Sequence, residues 1–188
     1  MINPENAVVQ RLFLALWPDE AVRSALMDVQ KRLPPGKGRL VRGENLHITL
    51  VFLGSTPAER RQCLERGMNG VNCPAFSLQL DQLGFWRKPQ VLWVGSALMP
   101  APLLNLANHL REIASRCGCA VDTRPFQTHL TLLRKLVKPP REFPAMAPIP
   151  WRVSSFSLVE SITAAVGVSY KVLHTWPLPA VAPGSTSE

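Results

Sequence analysis

The chain has 188 residues, of which 46% are hydrophobic and 18% are charged. This composition is typical of a globular domain and excludes an intrinsically disordered chain. The 21 Lys and Arg residues outnumber the 13 Asp and Glu residues and give a net charge of +8. This excess favours polyanionic partners such as RNA, DNA, nucleotides or membrane surfaces, without selecting among them. The first apolar run, Leu12 to Trp17, is far shorter than the roughly 20 residues of a membrane-spanning helix, so we expect no membrane association.

The first part of the chain predicts two strands, each followed by a helix. Residues Val8 to Trp17 are rich in apolar side chains and indicate a strand. Apolar residues then recur at spacings of three and four between Asp19 and Leu33, which predicts an amphipathic helix. Leu46 to Leu53 indicates the second strand, and the second helix is predicted from Thr56 to about Met68.

The remainder of the chain predicts more strands and one more helix. The expected elements are a strand at Phe76–Leu80, a hairpin with the basic turn Arg87–Gln90 before the strand Val91–Ser96, a helix at Pro100–Gly118, and strands at Phe126–Leu133, Trp151–Ile162 and Tyr170–Trp176. Strands mixed with three helices favour an α+β fold over a doubly wound parallel sheet. We expect one domain over residues 1–176 and a flexible tail over residues 177–188, which is rich in Pro, Ala, Gly and Ser.

The cysteines and the N-terminus bear on the compartment. Cys63, Cys73, Cys117 and Cys119 form no CxxC pair and are too sparse for a disulfide scaffold. The first residues lack the basic segment of a secretory signal. We therefore expect a cytoplasmic protein with reduced thiols and with no metal site.

A short motif occurs twice in the sequence. His47-Ile-Thr-Leu50 recurs as His129-Leu-Thr-Leu132, and both copies lie in predicted strands. Side chains alternate between the two faces of a strand, so the His and the Thr of each copy share one face, about 7 Å apart. The same alternation predicts that Ile48, Leu50 and Phe52 occupy the opposite, buried face. The repeat predicts that two imidazoles and two hydroxyls line one cleft, if the two strands are neighbours.

Such a cleft suits phosphodiester hydrolysis. The reaction needs one group that takes a proton from the nucleophile and another that protonates the departing oxygen, and two imidazoles with a pKa of about 6.5 can divide these tasks. Threonine hydroxyls can donate hydrogen bonds to phosphate oxygens. Two alternatives stay open, namely two histidines with purely structural roles and a metal site, although the two motifs themselves contain no carboxylate or Cys ligand.

Three segments carry a resemblance to a known family. Arg11–Leu16, Leu46–Gly54 and His129–Arg134 resemble the 2H phosphoesterases, and among them the RNA 2′,3′-cyclic phosphodiesterases, also called 2′-5′ RNA ligases. The resemblance covers nearly the whole chain up to about Trp176. It implies two similar α+β lobes about a pseudo-two-fold axis, with antiparallel sheets flanked by helices and both motifs in a central cleft.

The resemblance also implies an activity and residue roles. Family members open a terminal 2′,3′-cyclic phosphate of RNA to a 2′-phosphomonoester without a metal or other cofactor. His47 is then the proton donor and His129 the proton acceptor, while Thr49 and Thr131 hold the phosphate. The alternatives are the reverse reaction, which forms a 2′-5′ linkage, and an RNA-end-binding protein without catalysis.

Further candidate residues surround the motifs. Arg134 follows His129 by five residues, so an ideal strand places it on the opposite face, whereas a bulge or the strand end turns it to the phosphate. Phe13 and Tyr170 are candidates for stacking on a base, and Arg42 is a candidate for RNA contact. Basic residues in or beside the predicted loops are candidates for the RNA backbone: Lys37, Arg39, Arg42, Arg87, Lys88, Lys135 and Lys138. We expect a monomer whose partners are RNA ends or nucleotides with a 2′,3′-cyclic phosphate.

Overall fold

The computed structural model describes residues 9–33, 38–139, 141–164 and 167–180. Val8 and Lys37, which entered the predictions above, lie outside these residues. The helices are α1 (Glu20–Arg32), α2 (Ala58–Met68) and α3 (Ala101–Arg116), and Gly43–Asn45 forms a short 3-10 turn. The strands are β1 (Gln10–Leu16), β2 (Arg39–Leu40), β3 (Ile48–Thr56), β4 (Phe76–Leu80), β5 (Gln82–Trp86), β6 (Val91–Gly95), β7 (Leu130–Arg134), β8 (Ile149–Val153), β9 (Ser155–Ala164) and β10 (Gly167–Pro177).

One antiparallel sheet of eight strands carries the site. Its order is β10-β9-β1-β3-β7-β6-β5, and β2 pairs with β7 at the side of this path. Strands β4 and β8 form a separate two-stranded sheet. In the middle of the large sheet, β3 and β7 meet at one residue pair, Ile48 and Leu130. These residues are the second positions of the two repeated motifs, so the two motif strands are neighbours.

The sheet consists of two similar halves. In the first half, β1 precedes α1 and pairs with the motif strand β3. In the second half, β6 precedes α3 and pairs with the motif strand β7. Within these pairs, Ala15 lies opposite Thr49 and Trp93 lies opposite Thr131. The predicted α+β fold with two related lobes is confirmed.

The helices cover one face of the sheet. Leu12, Leu14 and Leu16 of β1 belong to the main core, together with the buried hydrophobic residues of all three helices. The N-terminus of α1 is capped by Asp19, whose carboxylate accepts a 2.9 Å hydrogen bond from the backbone N–H of Val22. Phe13 points to the other face of β1, where it packs in a small separate cluster. The face without helices is the one that carries the repeated His and Thr residues.

The structure corrects the prediction for the cysteines. Cys63 of α2 and Cys117, directly after α3, form a disulfide bond with their Cα atoms 5.8 Å apart. The expectation of four reduced thiols was therefore wrong, because the contact depends on how α2 packs on α3 and not on any local spacing. Cys73 and Cys119 are free and buried, and burial raises the pKa of both thiols.

The packed part of the chain continues past the expected boundary at residue 176. Leu178 is buried, and its backbone N–H donates to the carbonyl of Ser154 at 2.8 Å. The carbonyl of Pro179 accepts a 2.8 Å hydrogen bond from Ala75. Residues 181–188, the rest of the predicted tail, lie outside the described residues. No helix in the described ranges is long and apolar enough to cross a membrane.

Candidate active site

Both motif strands carry a β-bulge directly after the threonine. In the first half, Thr49 pairs with Ala15 but Val51 pairs with Leu14, so Leu50 is the extra residue. In the second half, Thr131 pairs with Trp93 but Leu133 pairs with Leu92, so Leu132 is the extra residue. An extra residue resets the alternation of faces. The residue five positions after each histidine therefore returns to the face of that histidine.

The bulges place Phe52 and Arg134 on the same face as the two motif histidines. Phe52 is 61% exposed, although simple alternation predicted it on the buried face, and that prediction was wrong. Arg134 is exposed at the corresponding position of the second half, whereas Leu132 and Leu133 before it are both buried. The expectation left open whether Arg134 lies on the face opposite His129 or is turned to the same face by a bulge. The structure contains the bulge, so Arg134 lies on the face of His129. Phe52 is one of the residues on this face that the sequence interpretation missed, because the bulge leaves no local signal.

The pairing of the motif strands brings the histidines together. Ile48 and Leu130 are fully buried on the helix-covered face. Their neighbours in each strand therefore point to the opposite face. When the register of this pair is extended by one residue in each direction, the histidine of each motif lies across from the threonine of the other. Thr49 is 9% exposed and Thr131 is half-buried.

Both imidazoles are held by the same type of hydrogen bond. Nδ1 of His47 lies 2.7 Å from the carbonyl oxygen of Asn45, and Nδ1 of His129 lies 2.9 Å from that of Gln127. A carbonyl can only accept a hydrogen bond, so Nδ1 carries the proton in both rings. This tautomer leaves Nε2 of each neutral ring as a free acceptor. Each half of the molecule thus presents one Nε2 atom with the same orienting contact.

His47 lies in an aromatic environment. Its ring stacks on Trp17 with a centroid distance of 5.2 Å and an interplanar angle of 4°. Phe13 and Tyr170 each contact it with centroids 5.0 Å away. Burial lowers the pKa of His47 to about 4, against the opposing effect of the Asn45 hydrogen bond, and the charge of Arg134 lowers it further. The free protein therefore holds this imidazole neutral at pH 7.

His129 has an aromatic neighbour of its own. Trp86 contacts its ring edge-on, with a centroid distance of 4.6 Å. Burial lowers the pKa of His129, the hydrogen bond to Gln127 raises it, and the charge of Arg134 lowers it. Since Arg134 affects the pKa of both imidazoles, its guanidinium lies within electrostatic range of the two rings together. The arrangement offers two neutral bases and one fixed positive charge to an anionic ligand.

The remaining candidate residues have varied placements. Phe13 is 3% exposed, so it packs against His47 and has no free face for the predicted stacking on a base. Tyr170 is half-buried between Phe13 and Trp17 beside the same ring. Arg42 is exposed, 3.8 Å from the carboxylate of Glu44. In the described part of the chain, no three His, Cys, Asp or Glu residues lie together as a metal-binding group.

Comparisons with known proteins agree with this geometry. The family profile described as LigT like Phosphoesterase matches residues 16–93 and 97–170, one segment for each motif. The RNA 2′,3′-cyclic phosphodiesterase of Escherichia coli strain K12 is 36% identical over 170 residues, which cover 90% of this chain and 97% of the relative. The enzyme of the same name from Thermus thermophilus is 32% identical, over 89% of this chain and 90% of the relative.

A solved structure extends the comparison to the fold. The crystal structure of E. coli LigT complexed with 3′-AMP matches with a TM-score of 0.85 and 36% sequence identity. The match covers 91% of this chain and 99% of that chain. The repeated motif, the two-part profile match and the shared fold therefore lead to one conclusion: the chain belongs to the LigT-like phosphoesterase family.

Proposed function

We propose that the protein hydrolyses the terminal 2′,3′-cyclic phosphate of RNA to a 2′-phosphomonoester, with two imidazoles as general acid and general base. The observation that carries the proposal is the pair of free Nε2 atoms on one face of adjacent strands, with the charge of Arg134 acting on both rings. The names of the curated relatives support the same substrate. The 3′-AMP bound to E. coli LigT supports a nucleotide-binding cleft.

The proposed reaction follows from the two imidazoles. Nε2 of His129 takes a proton from a water molecule as its oxygen attacks phosphorus. The bond between phosphorus and the 3′ oxygen breaks, and protonated Nε2 of His47 donates its proton to that oxygen. The products are a 2′-phosphomonoester and a free 3′-hydroxyl, and the two rings have exchanged protonation states. Both proton transfers are made by side chains, so the proposed reaction needs no metal or other cofactor.

The groups around the rings have supporting roles in this proposal. The hydroxyls of Thr49 and Thr131 donate hydrogen bonds to non-bridging phosphate oxygens, and the Arg134 guanidinium offsets the charge that builds there. The donor must be protonated in the complex, although burial keeps His47 neutral in the free protein at pH 7. The negative charge of the bound phosphodiester favours the imidazolium form and raises its pKa. The exposed ring of Phe52, beside the cleft, is a platform for the terminal base.

We also propose that the partners are RNA ends or nucleotides with a 2′,3′-cyclic phosphate, and that the protein works in the cytoplasm. The net charge of +8 supports a polyanionic partner. The relatives' names point to RNA, which is found inside cells. The redox state of Cys63 and Cys117 in the cell tests this location. Reduced thiols agree with the cytoplasm, whereas an intact disulfide indicates an oxidising compartment.

Turnover of an RNA oligonucleotide with a 2′,3′-cyclic end, measured in EDTA, tests the function. We expect the wild type to form a 2′-phosphomonoester, identified by phosphorus NMR. His47→Ala and His129→Ala should each lose roughly 10²–10⁴-fold in kcat/KM, the typical contribution of one general acid or base. Full activity of either variant contradicts the mechanism. Tight binding without product identifies an RNA-end-binding protein instead, and a 2′-5′ linkage with an added 5′-hydroxyl RNA identifies the ligation reaction.

A second substrate separates the roles of the two histidines. If the 3′ oxygen of the cyclic phosphate is replaced by sulfur, the leaving thiolate no longer needs a proton from an acid. His47→Ala should then recover most of its lost activity, whereas His129→Ala should not. If His129→Ala recovers on the sulfur substrate and His47→Ala does not, then His129 is the donor and His47 the acceptor. If each variant loses as much activity on the sulfur substrate as on the oxygen substrate, the division of roles is wrong.

A further inference from the structure

We propose that the turn between β5 and β6 binds the RNA backbone on the 5′ side of the terminal nucleotide, so that the protein prefers oligonucleotide ends to mononucleotides. This inference rests on the proposed function. A 2′,3′-cyclic end has no nucleotide beyond it, so any further phosphate that the protein contacts belongs to the 5′ side of the strand. The turn consists of Arg87, Lys88, Pro89 and Gln90.

The sheet places this turn beside the phosphate-facing end of β7. Arg134 lies opposite Val91, and Val91 lies opposite Trp86 on the next strand. Arg134 and Trp86 therefore flank the same end of the sheet, where the turn begins. The backbone N–H of Leu136 donates to the carbonyl of Gln90 at 3.1 Å and fixes the segment after β7 to the turn. Arg87 and Lys88 thus continue the surface that starts at Arg134.

The charge at this end of the sheet is concentrated and positive. Arg87, Lys88, Arg134 and Lys135 are all exposed. In the ranges that the structure describes, none of these four side chains takes part in an ion pair. Arg39 lies opposite Arg134 on β2 and adds a fifth basic residue to the same sheet end. Such a run of cations is suited to successive phosphate groups along a strand.

An aromatic side chain connects the basic turn to the catalytic pair. Trp86 directly precedes Arg87, is half-buried, and contacts the ring of His129. Its other aromatic neighbour is Trp93, with ring centroids 5.4 Å apart. Sites for single-stranded nucleic acid combine a positive surface along the backbone with aromatic rings that contact bases. This combination, next to His129, favours an RNA strand as the occupant.

Turnover as a function of substrate length tests the inference. We would measure kcat/KM for a nucleoside 2′,3′-cyclic monophosphate and for oligonucleotides of three and six nucleotides with the same 3′ end, at several KCl concentrations. In the wild type, kcat/KM should rise with length. The double variant Arg87→Ala/Lys88→Ala should lose about tenfold on the oligonucleotides, as expected for two weak ionic contacts, and nothing on the mononucleotide. The slope of log kcat/KM against the logarithm of the KCl concentration should become shallower by about 1.4 in this variant, because each of the two lost phosphate contacts contributes roughly 0.7 on a single strand.

The control removes the same charge elsewhere. Arg66 of α2 and Arg116 of α3 are exposed on the helix-covered side of the sheet, so Arg66→Ala/Arg116→Ala should leave the length preference intact. A wild type without length preference, or equal losses in both double variants, overturns the inference. An equal loss on the mononucleotide and the oligonucleotides also overturns it. The proposed function is judged separately, by whether the wild type hydrolyses any of these 2′,3′-cyclic substrates at all.

Discussion

The two catalytic candidates share one chemical property in the free protein, a pKa below the ordinary value of histidine. A bell-shaped pH profile of kcat/KM reports the free enzyme, and that of kcat reports the complex. We therefore expect the pH optimum of kcat/KM to be lower than the optimum that two imidazoles with ordinary pKa values would give. The pH optimum of kcat should be higher than that of kcat/KM, because the bound phosphodiester raises both pKa values. Identical pH optima for kcat and kcat/KM contradict this prediction.

The low pKa of His47 also predicts a pH dependence of folding stability. Between pH 6.5, the ordinary pKa, and about pH 4, the unfolded chain binds a proton that the folded chain does not bind. The free energy of unfolding should therefore fall as the pH falls through this range, by up to about 3 kcal/mol. Urea denaturation at several pH values measures it.

The matched variants isolate this contribution. His47→Gln should lose this part of the pH dependence, since Gln does not titrate. His109→Gln, which replaces an exposed histidine on α3, should retain it. If His47→Gln and the wild type show the same slope between pH 4 and pH 6.5, burial of the imidazole is not the cause.

At the scale of a strand, the two bulges decide which side chains form the site. Alternation along the sequence was sufficient to predict that each His and Thr share a face, and the buried Ile48 and Leu130 agree with it. It failed at Phe52, because the bulge comes from the pairing of two strands and leaves the local pattern unchanged. The position of Arg134 could not be decided from the sequence for the same reason.

The second bulge is held by a side chain from α1. Gln30 is 8% exposed, and its amide donates two 2.9 Å hydrogen bonds, one to the carbonyl of Leu132 and one to that of Val41. The same Leu132 carbonyl also accepts from the backbone N–H of Val41 at 2.9 Å. Gln30 is therefore a positioning residue that fixes the extra residue before Arg134. The sequence contains no signal for this contact, which joins residues 102 positions apart.

Replacing Gln30 by Met keeps its length but removes both donors. We expect KM for the cyclic phosphate to rise more than kcat falls, because Arg134 would no longer be held where we propose that it binds the phosphate. A double-mutant cycle with Arg134→Ala measures the coupling, and the effect of Gln30→Met should nearly vanish when Arg134 is absent. Fully additive losses in kcat/KM contradict the positioning role.

A structural control accompanies this cycle. Ser157→Ala removes a hydrogen bond of another buried side chain, the 2.9 Å contact between Ser157 on β9 and Thr175 on β10. It should lower stability by about 1 kcal/mol and leave KM unchanged. A rise in KM for this variant as well would mean that KM responds to general destabilisation.

At the scale of the whole molecule, the disulfide crosslinks two helices far from the cleft. Cys63 and Cys117 are separated by 54 positions in sequence, and closing a loop of this length stabilises a fold by about 4 kcal/mol in the chain-entropy treatment. Reduction should lower the melting temperature without changing kcat/KM, because both cysteines lie on the helix-covered side. A Cys63→Ser/Cys117→Ser variant should show no response to reductant, and a loss of activity on reduction contradicts the prediction.

The sequence predicted the whole-molecule architecture through the repeated motif and its resemblance, since the two copies imply two similar halves. It could not predict the Cys63–Cys117 bond, because that contact needs the packing of α2 on α3. The composition of the tail also did not predict that Leu178 is buried. A Pro-rich segment that packs on a core has the same composition as a Pro-rich segment that is free in solvent.

The half of the sheet that begins with β1 is completed by β9 and β10, which are the last strands among the described residues. Tyr170, which contacts the His47 ring, belongs to β10. The ribosome synthesises the chain from its N-terminus, so this half of the sheet stays incomplete while the other half is synthesised. A nascent chain in which both histidines have already been synthesised therefore still lacks Tyr170 beside the first of them, and the site is complete only after β10 has been synthesised.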